Sequence, residues 1–239
     1  MQSTTLRAQL ESALDGRIST PFTDLDGRVC ETVSSGIATL DAKIGGLPRG
    51  AVSEIFGPAS SGKTSILLSI LSGATAREEV CALVDGSDAF SPESGRDAGI
   101  DLRRLLWVRC HNLDQTLKVT DLLLQSGGFG IVAMDLSDLP ANAVHGVPLS
   151  TWFRFQRSIE KTPTILAIAS RDGVAKTCAA VAMKTGKRCA VKEAVPSHAV
   201  LLEDSIVNVE VIRKRNTPHS YSRVCFHLHS SFSCPVARP

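Results

Sequence analysis

One tyrosine and two tryptophans are all that 239 residues offer beside eight phenylalanines, so any core must rest on Ala, Val, Leu and Ile. No CxxC pair occurs among the seven cysteines, Cys30, Cys81, Cys110, Cys178, Cys189, Cys225 and Cys234. An odd count without tight spacing argues against a disulfide framework and reads as reduced thiols of a cytoplasmic protein. Cys178 and Cys189 are a conceivable metal pair, but no His–His pair beside them completes four ligands. His227 and His229 alternate along an expected strand and read as surface histidines. No apolar run approaches the roughly 20 residues needed to span a bilayer, and no charged-then-apolar leader opens the chain, so no membrane role is expected. Neither sign of charge is in excess: 26 Lys and Arg stand against 24 Asp and Glu, a net +2. That excludes a globally basic nucleic-acid coat, though not a local patch.

What is present is ordinary for one α/β core with a short appendage, 43% apolar and 21% charged. Residues 1–34 stand apart. Leu6, Leu10 and Leu14 recur at a spacing of four, one apolar stripe on a short helix, and the polar, turn-rich stretch 16–27 follows as a flexible arm. Such a helix cannot bury its stripe alone, so it must dock on the body of the protein or on another molecule. From Gly36 onward strands and helices alternate. Strands are expected at 52–56, 80–85, 105–108, 131–135 and 164–169, and helices at 65–76, 117–124 and 152–159. This alternation builds a mostly parallel sheet flanked by helices. Residues 206–212 alternate as a half-exposed strand, and Pro218 turns them toward 223–229, so the sheet should end in an antiparallel hairpin. The organisation is thus an arm over 1–34, a core over 35–231 and a tail over 232–239.

Between the first core strand and the first core helix lies Gly57-Pro58-Ala59-Ser60-Ser61-Gly62-Lys63-Thr64, a full G-x-x-x-x-G-K-[ST] match. The glycines let the backbone wrap close, so that successive N–H groups point at phosphates. Lys63 brings a point charge to the outer phosphates, and the Thr64 hydroxyl is placed to ligate Mg²⁺. The helix that follows aims its positive end at the same anion. A nucleoside triphosphate with Mg²⁺ is therefore the expected ligand. A second acid should end a buried strand and hold the metal's water shell; Asp135, closing Ile131-Val132-Ala133-Met134, supplies it. Asp85, closing 80–84, is the next candidate for the pocket floor.

The stretch 31–71 resembles the RecA family of recombinase ATPases. The resemblance is carried by Thr32-Val33-Ser34-Ser35-Gly36, Leu40-Asp41, Gly45-Gly46-Leu47-Pro48-Arg49-Gly50 and Glu54-Ile55-Phe56-Gly57-Pro58. It continues through 81–99 to Asp135 and resumes at Ser170 and at 211–218. It implies a RecA-type core and ATP-dependent filament formation on single-stranded DNA, with roles in DNA recombination, repair and the SOS response. Where the family has its water-activating glutamate, two residues after the acid matched by Asp85, this chain has Ser87. Serine has no basicity for that step, and losing a positioned base costs about 10²–10⁴ in rate. Asp88, next door, or another acid is the candidate to replace it, although for Asp88 a shift of one residue in an extended segment turns a side chain away. The family's adenine-stacking tyrosine falls at Ser94, and its nucleotide-sensing glutamine at or near Arg171. Arg213 and Arg215 resemble the paired lysines that reach a neighbouring subunit's nucleotide; a basic strand end in solvent is the plain alternative.

The resemblance also implies two DNA-binding loops. The first, 140–150, is short and nearly uncharged. The second falls within 173–192, with Lys176, Lys184, Lys187, Arg188 and Lys192 and no acid between Asp172 and Glu193. It could neutralise a few phosphates, or be a solvated basic hairpin; without Phe, Tyr or Trp it offers no stacking platform. No counterpart of the family's separate C-terminal domain is expected after the last hairpin. Short length, Ser87 and an intact phosphate loop together resemble the ImuA-type paralogues. That resemblance implies an accessory of translesion synthesis whose partners are RecA recombinase, copies of itself or translesion polymerase components. An active recombinase and, more remotely, a P-loop enzyme of another class such as a small-molecule kinase are the alternatives.

Overall fold

The computed structural model describes residues 31–186, 189–190, 204–214 and 222–229. The chain opens with β1 (Thr32–Val33), α1 (Ala38–Ile44), β2 (Leu47–Pro48), β3 (Val52–Phe56), α2 (Lys63–Ala76), β4 (Cys81–Asp85) and α3 (Pro92–Asp97). It continues with β5 (Leu105–Arg109), α4 (Leu113–Ser126), β6 (Ile131–Asp135), α5 (Ala141–His145), α6 (Leu149–Ile159) and β7 (Ile165–Ser170). β8 (Ala179–Thr185), β9 (Cys189–Ala190), β10 (Asp204–Lys214) and β11 (Ser222–His229) complete it.

Apolar residues fill successive strand positions because both faces of the sheet are buried. Cys81 and Leu83 of β4 join one apolar cluster, Ala82 and Val84 the other. In β6, Ile131 and Ala133 part from Val132 and Met134; in β7, Ile165, Ala167 and Ala169 part from Leu166 and Ile168. Alternation across a strand then gives a continuous apolar run instead of an in–out pattern. One face is roofed by α1 and α2, whose Leu40, Ile44, Ile66, Leu67, Ile70 and Leu71 are buried in it. Each of these side chains contributes roughly 1.5–3 kcal/mol by leaving water. The other face is roofed by α4 and α6, through Leu124, Trp152, Phe155 and Ile159. Among the described residues no helix is long and apolar enough to cross a membrane.

The strands lie in the order β11-β10-β8-β3-β7-β6-β4-β5, with β9 beside β10. β3 through β8 run parallel to one another, whereas β10 is antiparallel to β8, β9 and β11. The α/β fold and its closing hairpin therefore form as the sequence pattern led us to expect. From β3 the chain crosses by way of α2 to β4, leaving places that β7 and β6 later fill. The crevice at the carboxyl ends of β3, β7 and β6 is thus a topological switch point, where open α/β sheets bind ligands.

Three local expectations need correction. β1 pairs with β2, which ties Thr32 and Val33 to the core although the sequence had assigned them to the arm. The segment 140–150 is no open loop, since it holds α5 and the start of α6. Most important, β8 lies inside 173–192 and pairs with β3 on one side and β10 on the other. What joins β7 to β8 is a short link, 171–178, ending in a 3-10 turn at Lys176–Cys178.

Candidate nucleotide-binding site

β3 delivers the chain to the phosphate loop at Phe56, and α2 takes it up again at Lys63. Two glycines make the close wrap possible. Gly62, the N-cap of α2, has φ +93°, and a Cβ there would stand 2.6 Å from Cγ2 of Val207 on β10. A Cβ on Gly57 would fall on Thr185, the last residue of β8. Thr185 is also the loop's anchor. Its hydroxyl donates to the carbonyl of Phe56 at 3.2 Å, so at the 2.5 Å contact with Ser61 the Ser61 hydroxyl is the donor. Both hydroxyls are fully buried. Pro58, Ala59, Ser60 and Thr64 are exposed at the mouth, with Ser60 in left-handed backbone at φ 56°.

Lys63 is 4% exposed and donates to the carbonyls of Gly57 (2.9 Å) and Pro58 (2.7 Å), which curls the loop around its ammonium. Burial lowers the proton affinity of that ammonium; Asp135 and Asp138 restore part of it, and Arg171 depresses it again. Asp135, half-buried at the end of β6, accepts from the Ser137 N–H at 2.8 Å. Burial pushes its carboxyl up, the Ser137 hydrogen bonds pull it down, and Asp85 and Asp138 push it up further. A cradle that a Cβ would fill, a buried lysine and a carboxyl raised by burial fit a triphosphate with its divalent cation. Gly57, Gly62, Lys63 and the start of α2 would hold the phosphates, with Thr64 and Asp135 on the metal's side.

The third acid has a different occupation. Asp85 is 2% exposed and lies opposite Asp135 across the β4–β6 pair. One of its oxygens accepts from the N–H groups of Ser87 (3.3 Å) and Ala89 (3.2 Å). The other accepts from the Phe90 N–H (2.8 Å) and the Trp107 indole (3.3 Å). Its oxygens are thus engaged by the loop after β4, which Asp85 holds in place.

Asp88 is likewise engaged. Arg109, at the end of the edge strand β5, grips both its oxygens at 2.6 Å, and that guanidinium lies 5.2 Å over the Trp107 ring. The Arg109 hydrogen bonds hold the Asp88 carboxyl below the usual carboxylate range. A carboxylate so held is a poor proton acceptor at neutral pH. Phe90 meets Trp107 edge-on at 5.3 Å and closes the clasp. Asp88 is therefore engaged by Arg109 in this structure. Sequence reasoning missed Trp107 and Arg109 because they lie on a different strand, and missed Thr185 because 124 residues separate it from Ser61. No local pattern marks any of the three.

Of the cations proposed for a single DNA loop, the two among the described residues, Lys176 and Lys184, do not share one. Lys176 begins the 3-10 turn, Lys184 is an exposed residue of β8 paired with Glu210, and β8 separates them. Lys187, Arg188 and Lys192 lie outside the described residues, as does Arg215. Arg213 donates to the Lys176 carbonyl of its own chain and so pins the β7–β8 link from β10. Beneath it Glu54, 1% exposed on β3, accepts from the N–H groups of Val174 (2.6 Å) and Ala175 (3.0 Å).

A model of the RecA N-terminal domain matches residues 18–145, more than half of the chain. Curated relatives named Protein RecA include those of Allorhizobium ampelinum (42% identical), Rhizobium rhizogenes (41%) and Brucella canis (40%). Each match runs over 107 residues, 44% of this chain and 30% of the relative, so the chain spans less than a third of their length.

Proposed function

Because the chain belongs to the RecA family, we propose that it is an ATP- and Mg²⁺-binding protein of DNA repair that holds its nucleotide without effective hydrolysis. In this reading nucleotide occupancy is a structural signal. The protein serves as a cytoplasmic accessory of translesion synthesis in the SOS response, acting through contacts with RecA recombinase, with copies of itself or with translesion polymerase components. The observation that carries the reading is the loop after β4, where Ser87 has no basicity, Asp88 is clamped by Arg109 and Asp85 is consumed as the loop's anchor. The P-loop, by contrast, keeps its close glycine wrap and its buried Lys63, which support binding.

That intact P-loop is also what favours the second reading, an active recombinase with DNA-stimulated turnover. The dispersal of Lys176 and Lys184 to opposite ends of β8 speaks against a DNA loop of the kind that reading needs. ATP binding and turnover by the purified protein, with and without single-stranded DNA and beside Lys63→Ala, separate the two. Binding lost in Lys63→Ala, with negligible turnover in the parent, supports the accessory. DNA-stimulated turnover refutes it. Ser87→Glu sharpens the test, because a restored base should raise turnover by about 10²-fold or more.

A further inference from the structure

The helices α4 and α6 lie side by side over one face of the sheet, far along the chain from the phosphate loop. Arg154 ties the seam between them, its Nε donating to the Asp121 carboxylate at 3.2 Å. The same guanidinium lies 5.7 Å over the ring of the buried Phe155. Toward the sheet both helices bury what a covering helix should, Thr116, Thr120 and Leu124 from α4 and Trp152, Phe155 and Ile159 from α6. The helical period then calls for polar outer faces. Both outer faces depart from that. Leu122 on α4 is 67% exposed, and on α6 Phe153 is 48% and Leu149 38% exposed.

Residues four apart share a helix face, so Leu149, Phe153 and Arg157 form one outward stripe and Lys118 and Leu122 another. Leu122 follows Asp121 and Phe153 precedes Arg154, so the bridge between Asp121 and Arg154 sets the two apolar side chains on the flanks of one seam. One exposed leucine is ordinary, but large apolar side chains from two helices flanking a seam mark a contact surface. Charge decides what covers it. Lys118 and Arg157 are exposed, and neither is in an ion pair among the described residues. Of the acids, Asp121 is taken by Arg154, while Asp114 and Glu160 stand at the far ends, in the first turn of α4 and just past α6. A second copy on this face would set one basic surface against another, which is repulsive. Nucleic acid would suit the cations and leave the apolar side chains against phosphate. An acidic segment with apolar side chains satisfies both.

We propose that the outer face of α4 and α6 docks a partner protein through a short acidic segment of that partner. The segment's apolar side chains seat on Leu122, Leu149 and Phe153, and its carboxylates meet Lys118, Arg154 and Arg157. The inference rests on the reading above that the protein acts through protein contacts, and it does not depend on nucleotide. Because the Asp121–Arg154 bridge and the buried Phe155 hold the seam in place, the surface is formed before the partner arrives and little ordering cost falls on this chain. Its cations are exposed, so the attraction weakens as salt rises.

The test is selection of displayed random peptides on the full chain, then fluorescence-anisotropy titration of the enriched peptides against the parent and its variants. The enriched peptides should combine several carboxylates with leucine or phenylalanine. Leu122→Ser together with Phe153→Ser should weaken their binding by about tenfold or more, while Phe153→Leu, which keeps an apolar side chain, should retain most of it. Arg157→Glu should also cost about tenfold and flatten the salt dependence, a readout that mere loosening of the helix would not give. All three positions are exposed, so urea midpoints should match the parent's. The proposal is overturned if no peptide is enriched, if the enriched peptides lack acids, or if they bind the double variant as well as the parent. Sedimentation showing a mass that grows with concentration and falls in Phe153→Ser gives the face to a second copy and overturns it too. So does hydrogen-exchange protection of residues 6–14 that the double variant relieves, which gives the face to the chain's own arm. Each of these results leaves the nucleotide reading standing, since ATP binding and turnover are measured apart.

Discussion

Replacing Asp85 by Asn changes one atom and leaves the shape, so it isolates what the carboxylate does. The four donors aimed at Asp85 come from Ser87, Ala89, Phe90 and Trp107, two to each oxygen. Asparagine keeps one oxygen and therefore two of these bonds; its amide group turns N–H against N–H at the other two. A hydrogen bond to a charged group is worth about 1.5–3 kcal/mol, and two lost bonds whose donors regain some water cost about 2–4 kcal/mol together. With a urea slope near 3 kcal/mol per molar for a chain of this size, the unfolding midpoint should fall by about 1 M. The assay is urea unfolding followed by tryptophan fluorescence, since Trp107 reports the loop itself and Trp152, 2% exposed, the core. ATP affinity of the folded variant should stay within a few fold of the parent. A variant as stable as the parent but unable to bind ATP would refute the reasoning and return Asp85 to the pocket floor.

The other expectations follow from the same geometry. Thr185→Val removes a buried hydroxyl that ties Ser61 to the Phe56 carbonyl, so stability should drop by about 1–3 kcal/mol and ATP affinity should fall with it; unchanged ATP titration would mean that β8 does not shape the loop. Cys81 is buried with its thiol pushed up to about 12, which leaves a thiolate fraction of ~10⁻⁴ at pH 8, so iodoacetamide should reach it only after denaturant is added. Prompt labelling of the native protein at Cys81 contradicts this. Burial raises the Glu54 carboxyl despite two backbone N–H donors that pull it down. A carboxyl raised in the folded state favours folding when protonated. That contribution is full below about pH 4 and is lost as pH climbs through the folded value. Glu54→Gln keeps an oxygen for Val174 and Ala175, so its advantage over the parent should widen from pH 5 to pH 8; urea midpoints that stay parallel across that range reject the argument.

How much of the site was legible can be followed residue by residue. Lys63 and Thr64 are announced by a contiguous motif, because wrapping one phosphate chain is a task for one continuous stretch of backbone. Asp135 follows from a buried strand ending in an acid. The residues that decide how the site behaves carry no such mark. Arg109 clamps Asp88 from the edge strand, and Thr185 locks Ser61 from 124 residues away. For the opposite reason the stretch 173–192, of which residues 173–186 and 189–190 are described, does not read as one loop. Lysines next to one another in sequence suggested a loop, yet Ala179–Met183 between them has small and apolar side chains at every position, as a strand buried on both faces requires.

The amino-acid order by itself determined the alternation of strand and helix, the double-faced burial of the sheet and the phosphate loop, since each depends on neighbours within a few residues. The tertiary structure alone decided which carboxylate anchors the loop after β4, which one is paired with Arg109 and how far apart Lys176 and Lys184 stand. Those are properties of strand order, and strand order is set by which apolar faces bury one another across the whole chain.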